Sequence, residues 1–281
     1  MVILATGSTT GGSWFRLKEL ARSLGGEGVP CHVITYPAPD LAELDGLENV
    51  TVHRVSPPLG LRGTPFLALG VWTEARRIDT RGVERVWLGS FAGNAGLGFL
   101  PLRMLGGPSV RLFSFLRGAE IIRLRIRLAG PRGPGLVGRL RAGVRETASR
   151  VMLGASDLLL VQTSAGLTQL EDQFGASLPG VRRILPNNVN ASWIEARRQE
   201  ALSADLPRDP GTFTLLFVGR LELRVKGLDT LLAAAGEIGD PRLRLRVVGE
   251  GPDRGAVERR ARELELGDRG SVGGWVDNPL K

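Results

Sequence analysis

The chain contains little cysteine, histidine, tyrosine or lysine. Its 281 residues include one cysteine, two histidines, one tyrosine and three lysines. The single cysteine, Cys31, excludes a disulfide within these residues, and Cys31 with the two histidines is one ligand short of a four-ligand structural zinc site. We therefore predict a reducing compartment and no metal site.

Long apolar runs are also missing. No apolar stretch of 18 residues is free of arginine. Residues 1–6 lead directly into a glycine-rich turn, without the basic and apolar segments of a secretory signal. These absences predict a cytoplasmic protein with no membrane span.

The composition predicts a folded α/β protein of two domains. Hydrophobic residues make up 42% of the chain and charged residues 23%, and a domain usually has about 150 residues. Short apolar runs alternate with segments of helical periodicity, which is typical of parallel β-α-β units. Six or seven strands are predicted in the first series, including residues 2–6, 31–36, 50–55, 83–88, 110–115 and 156–162.

A second, shorter series follows a polar connector with prolines at residues 203–211. Its predicted strands are residues 213–219, 243–249 and 269–275, and its predicted helices are residues 227–238 and 253–264. We predict a doubly wound domain over residues 1–205 and a partial domain of the same kind over residues 206–281.

Residues 216–229 have the pattern of a phosphate-binding turn. An apolar strand ends at Gly219, a loop carries Arg220 and Lys226, and a helix begins near Gly227. Basic side chains beside a helix N-terminus favour an anion such as a diphosphate. The alternative is a charged surface loop, but Lys226 is one of three lysines in a chain with 34 arginines. We predict that Arg220 and Lys226 bind the anion.

Two more glycine-containing turns are candidate binding loops. Gly11 and Gly12 lie in the loop predicted after the first strand, where backbone amides can approach a phosphate because no Cβ intervenes. Gly249, Glu250 and Gly251 follow a later strand, at the edge where open α/β sheets bind ligands. We predict that these five residues and Gly219 line the nucleotide site; the alternative is that they form turns without ligand contact.

Most of the excess positive charge lies in residues 117–150. This stretch has nine arginines and two glutamates, a net charge of +7 within a chain of net charge +8. Isoleucines and leucines are interleaved with the arginines at residues 121–128. The pattern predicts docking on an anionic membrane surface, and the alternative is a solvated face of an arginine-rich protein. Nucleic-acid binding is not predicted, because the aromatic residues form no stacking motif.

Three segments of the second series resemble one enzyme family. They are GRLELRVKGLDTLLAAA (219–235), LRVVGEGPDRGAVE (245–258) and VGGWVDN (272–278). Together they are similar to the start of the C-terminal domain of the family 4 glycosyltransferases, which have the GT-B fold. The first series resembles the family more loosely, through its glycine-rich first loop, LRGAE (116–120) where a His-Gly pair is frequent, ASD (155–157) before the last strand, and PNNVN (186–190) where PNGVD is frequent.

The resemblance implies an α/β GT-B architecture, in which two Rossmann-like doubly wound domains face a cleft. It implies transfer of a sugar, with retention of configuration, from a nucleotide diphosphate sugar to a glycan or lipid-linked acceptor, with no further cofactor and no metal. Arg220 and Lys226 match the family positions that stabilise charge on the leaving diphosphate. Arg117 stands at the histidine position as an acceptor-side candidate, able to bind an anion but a poor base. A lipid-linked acceptor implies a peripheral position on the inner face of the cell membrane.

The family's Glu-x7-Glu element would follow the Gly-Trp-Val segment and would lie beyond residue 281. Glu250 and Glu258 have this spacing at a different location. The resemblance therefore implies a truncated second domain, and we expect sugar transfer by this chain to be impaired.

Two other function classes stay open. Residues 6–13, TGSTTGGS, nearly match the Thr-Gly-x3-Gly-x-Gly turn of the short-chain dehydrogenases, a class of nucleotide-dependent oxidoreductases. The last glycine of that turn is Ser13 here, and the only tyrosine, Tyr36, is followed four positions later by Asp40 where that family needs lysine. The other alternative is a non-catalytic basic module that binds a membrane surface.

Overall fold

The computed structural model describes residues 1–7, 11–38, 41–56, 64–91, 93–116, 136–186, 191–203 and 211–276. The chain divides into two units, residues 1–187 and 188–281. Each unit is built on its own parallel sheet. The domain boundary predicted between residues 205 and 206 stays a prediction.

Unit 1 contains a seven-stranded sheet in the order β3-β2-β1-β4-β5-β6-β7, and all neighbouring strands are parallel. The order reverses between β1 and β4, as in a doubly wound fold. The predicted α/β class is therefore confirmed. The strands are β1 (Val2–Thr6), β2 (Cys31–Thr35), β3 (Val50–Arg54), β4 (Val86–Phe91), β5 (Val110–Leu116), β6 (Leu158–Val161) and β7 (Val181–Ile184).

Helices cover both faces of this sheet, so its central strands are apolar on both sides. The first helix buries Trp14 and Leu17 against one face, and the third buries Leu67 and Val71 against the other. The helices are α1 (Gly11–Gly26), α2 (Ala42–Asp45), α3 (Thr64–Ala75), α4 (Leu100–Leu105), α5 (Leu136–Ala155) and α6 (Ser164–Phe174).

Unit 2 repeats the first half of this topology. Its parallel strands β8 (Phe213–Val218), β9 (Leu243–Val248) and β10 (Gly270–Gly273) lie in the order β10-β9-β8. Its helices are α7 (Ala191–Ser203), α8 (Leu223–Lys226), α9 (Leu228–Ile238) and α10 (Arg254–Glu263). Leu228, Leu232 and Val257 pack against Leu245 and Val247 to form its core. Across the described ranges of both units, no helix is long and apolar enough to cross a membrane.

Three features of unit 1 differ from the pattern expected from sequence. Strand β4 (Val86–Phe91) lies three residues later than the strand predicted at residues 83–88. Helix α1 begins at Gly11, so Gly11 and Gly12 form its first turn instead of a loop. The seventh strand, β7, does not appear in the sequence as an apolar run, because Arg182 and Arg183 occupy its centre. A strand at the edge of a sheet tolerates such side chains since one of its sides has no neighbour.

The two histidines of the chain contact each other on neighbouring strands β2 and β3. His32 Nδ1 lies 3.0 Å from His53 Nε2, and His53 Nδ1 lies 4.0 Å from a carboxylate oxygen of Glu74 on α3. Burial lowers the pKa of both rings; the neighbouring ring and the Met1 amino group lower that of His32 further, whereas Glu74 raises that of His53. The hydrogen bond between the rings needs one acceptor nitrogen, so at least one of the two histidines is neutral in this arrangement.

This pair makes the stability of unit 1 dependent on pH. Because both folded-state pKa values lie below the unfolded value of about 6.5, the contribution of the pair is complete above that pH and is lost as the pH falls below it. We expect the free energy of unfolding, measured with urea, to decrease from pH 7 to pH 5. The double variant His32→Gln, His53→Gln should have a flatter profile, and an unchanged slope in that variant would contradict this assignment.

Candidate functional site

The turns that follow the three strands of unit 2 are hydrogen-bonded to one another. The amide of Leu221, in the turn after β8, donates to Glu250 O at 3.0 Å, and the amide of Asp253 donates back to Leu221 O at 3.1 Å. The amide of Gly249, after β9, donates at 3.2 Å to the carbonyl oxygen of Gly274, which follows β10. The parallel sheet therefore brings the predicted residues after β8 and after β9 together at one edge.

Gly249 and Gly251 let these turns approach each other closely. A Cβ on Gly249 would lie 1.9 Å from the carbonyl oxygen of Gly219, and one on Gly251 would lie 2.3 Å from that of Leu221. Gly249 also has a φ of +145°, a conformation that favours glycine. Both glycines are thus required by the packing of the two turns, whether or not they also contact a ligand.

Arg220 and Lys226 present positive charge beside this edge. The guanidinium of Arg220 lies 3.0 Å from Glu222, and the side chain is 58% exposed, so part of its donor set faces solvent. Lys226 is the last residue of α8, and Gly227, at a φ of +67°, turns the chain from α8 into α9. The Lys226 side chain is exposed, and no carboxylate of the described residues forms an ion pair with it. Both cations are therefore accessible to an anion.

The carboxylate of Glu250 is engaged within its own turn. Arg254 pairs with Glu250 and also with Glu258, whose oxygen lies 2.9 Å from the arginine Nε. These contacts raise the pKa of Arg254, chiefly through the hydrogen bond with Glu258. The Glu250–Glu258 spacing thus reflects two carboxylates that pair with one arginine, Glu250 four residues before it in the turn and Glu258 four residues after it in α10.

Asp253 is a site residue that the sequence pattern did not single out. Its carboxylate accepts a hydrogen bond from the amide of Leu223 at 2.9 Å, which fixes the start of α8 to the turn after β9. The signal available in the sequence was its place just before α10, where aspartate is a frequent helix cap.

The candidates in unit 1 are only partly covered by the structure. Gly11 and Gly12 open α1 at the carboxyl end of β1. Arg117 and residues 118–135 of the predicted basic surface lie outside the described residues, and residues 136–150 belong to α5. In the part of the chain that the structure describes, no three His, Cys, Asp or Glu side chains are grouped to hold a metal ion.

The edge of unit 2 lies in a segment that matches a known family. The family model described as glycosyl transferases group 1 matches residues 198–280. We call residues 198–280 the group 1 segment, because this is where the chain is similar to that family. The chain is also 33% identical over 110 residues to a D-inositol 3-phosphate glycosyltransferase of Pseudarthrobacter chlorophenolicus. That alignment covers 38% of this chain and about a quarter, 26%, of the relative.

Solved structures extend the similarity of fold beyond the group 1 segment. Sucrose-phosphate synthase from Thermosynechococcus elongatus superposes with a TM-score of 0.70 at 19% identity, over 98% of this chain and 70% of the other. WaaG, a glycosyltransferase involved in lipopolysaccharide biosynthesis, gives 0.60 at 15% identity over 99% and 70%. Anabaena HepE in complex with UDP gives 0.56 at 17% identity over 99% and 70%. The predicted GT-B fold class is therefore confirmed.

The glycine packing predicts that Gly249→Ala acts on stability before it acts on binding. The added methyl would clash with the Gly219 carbonyl oxygen, so we expect the free energy of unfolding of unit 2, measured with urea, to fall by about 2–4 kcal/mol. Amide hydrogen exchange in β9 should become faster. Gly255→Ala is the matched control, because its Cβ would lie 3.6 Å from the nearest side-chain atom in α10. This substitution should leave the free energy of unfolding unchanged or raise it by about 0.5–1 kcal/mol. Equal stability of the two variants would contradict the packing argument.

Proposed function

We propose that the protein is a retaining glycosyltransferase that moves a sugar from a nucleotide diphosphate sugar to a glycan or lipid-linked acceptor. The observation that carries this proposal is the basic edge of unit 2, where Arg220 and Lys226 stand beside closely packed glycine turns inside the group 1 segment. Further support comes from the relatives: one is a D-inositol 3-phosphate glycosyltransferase, and HepE was solved with UDP.

The proposed role of the two cations follows from the charge that develops during transfer. When the bond between the sugar and the diphosphate breaks, negative charge grows on the leaving oxygen. Positive groups placed there before the reaction stabilise this charge more in the transition state than in the ground state. Arg220 supplies a planar set of donors and Lys226 a compact charge, and both are exposed at the carboxyl edge of the sheet.

The remaining candidates are assigned by position. Gly219, Gly249, Glu250 and Gly251 shape the donor side of the site through their turns. In unit 1, Gly11 and Gly12 are proposed to line the nucleotide site, and Arg117 is proposed on the acceptor side. The short-chain dehydrogenase alternative is not favoured, because its catalysis needs an accessible tyrosine, whereas Tyr36 is buried in the core of unit 1.

Nucleotide binding tests the two cations without requiring turnover, and so does not depend on the impairment that we expect for this chain. Titration calorimetry with UDP, GDP and ADP should identify a nucleotide that binds, and Arg220→Ala or Lys226→Ala should weaken its binding by at least about tenfold, roughly 1.4 kcal/mol. In a chain that transfers sugar, each change should reduce transfer to a similar extent, because diphosphate stabilisation is lost.

Arg224→Ala is the matched control for these variants. Arg224 lies on the same short helix as Lys226, is exposed and has the same formal charge as Arg220, so its loss tests for a general effect of charge. We expect near-normal nucleotide affinity. Equal losses in all three variants, or no binding of any of the three nucleotides by the unmodified chain, would contradict the proposal.

We further propose that residues 117–150 dock the protein on an anionic membrane at the inner face of the cell membrane, where a lipid-linked acceptor would lie. The net charge of +7 in this stretch supports the proposal.

Changing Arg123, Arg125 and Arg127 together to glutamine should strongly reduce sedimentation with vesicles that contain anionic phospholipid. Removing the same number of charges from α10, at Arg259, Arg260 and Arg262, should have a much smaller effect. Equal losses in the two triple variants would show that only net charge matters.

A further inference from the structure

Arg16 is a buried arginine in α1 that the proposed chemistry does not use. Only 8% of its surface is exposed. Burial lowers the pKa of its guanidinium, although Glu19 partly opposes this. Because a buried cation is costly unless polar groups surround it, its contacts indicate what the position is for.

The guanidinium of Arg16 binds the chain where it leaves β7. Its Nη2 donates to the carbonyl oxygens of Leu185 at 3.2 Å and Pro186 at 2.6 Å. The guanidinium carbon also lies 5.5 Å from the ring centroid of Phe115, at the end of β5. One side chain of α1 therefore contacts the carboxyl ends of β5 and β7, two strands on the same half of the sheet.

Few apolar contacts hold the end of β7. Ile184 is 48% exposed and Leu185 is 39% exposed. The amide of Leu185 donates to Val161 O at 2.7 Å, which attaches the strand to β6. The carbonyls of Leu185 and Pro186 are attached on the other side by Arg16, so the charged hydrogen bonds substitute for packing at this edge strand.

We infer that Arg16 is a positioning residue, which fixes the segment leaving unit 1 relative to the first turn of α1. Arg16 follows Gly12 by four residues, about one turn of helix, and the segment that it holds continues along the chain to α7 of unit 2. Its catalytic consequence rests on the proposed function: displacement of Leu185 and Pro186 beside α1 should slow transfer without weakening donor binding, because no group that contacts the nucleotide is lost.

Arg16→Met tests this inference, since methionine keeps an apolar stem but donates no hydrogen bond. Amide hydrogen exchange, read by mass spectrometry, should become about tenfold faster in residues 181–185 and change little in β1 and β4. Arg16→Lys should give an exchange rate between those of the unmodified protein and Arg16→Met, because one ammonium group can retain part of the hydrogen bonding. Arg22→Met is the control on the same helix: Arg22 is 41% exposed and pairs with Glu19, so exchange at β7 should match the unmodified protein.

The kinetic arm separates positioning from binding. In a chain with transfer activity, Arg16→Met should lower kcat about tenfold while the affinity for the nucleotide identified among UDP, GDP and ADP stays unchanged, and Arg22→Met should leave both unchanged. Unchanged exchange at β7, a uniform acceleration throughout unit 1, or faster exchange at β7 with unchanged kcat would overturn the inference. If the unmodified chain binds none of UDP, GDP and ADP, the proposed function fails, and hydrogen exchange alone decides whether Arg16 holds β7.

Discussion

Both units depend on one geometric constraint, the parallel pairing of all their strands. Parallel pairing sends every connection back across the sheet and leaves all carboxyl ends at the same edge. In unit 2 this edge gathers the turns after β8, β9 and β10 into one hydrogen-bonded group. In unit 1 it gathers the first turn of α1 and the end of β7, which Arg16 connects. The chemistry that we propose therefore follows from the sheet order more than from any single motif.

The sequence was most informative where strands are buried on both faces. Such strands appear as apolar runs, and the predicted bounds of β1 and β2 match the structure nearly to the residue for that reason. The bounds of β9 also match, although Arg244 and Arg246 alternate with its buried Leu243, Leu245 and Val247. The edge strand β7 could not be found in the same way, because half of it consists of arginines. The start of α1 was misplaced because two adjacent glycines, which ordinarily favour a turn, begin the helix.

At the candidate site, the pattern located the residues but not their contacts. Arg220 and Lys226 are predicted from their place between a strand and a helix, from the rarity of lysine in the chain and from the family resemblance. The reason for glycine at position 249 lies in a backbone 30 residues earlier, at Gly219, and no local pattern carries that information. The engagement of Glu250 by Arg254 joins residues only four apart, but it depends on how the turn after β9 leads into α10, which the spacing alone does not give.

The lone thiol of the chain has a consequence for following the motions of unit 1. Cys31 opens β2, is 1% exposed, and burial raises the pKa of its thiol to about 12. Thiol reagents react with the thiolate, so the folded protein protects this group both by access and by protonation. With no second cysteine to confuse the signal, the rate of alkylation of the intact chain reads out one event, the opening of β2. A single cysteine cannot form a disulfide within these residues, but it allows the opening rate of the sheet to be measured by alkylation.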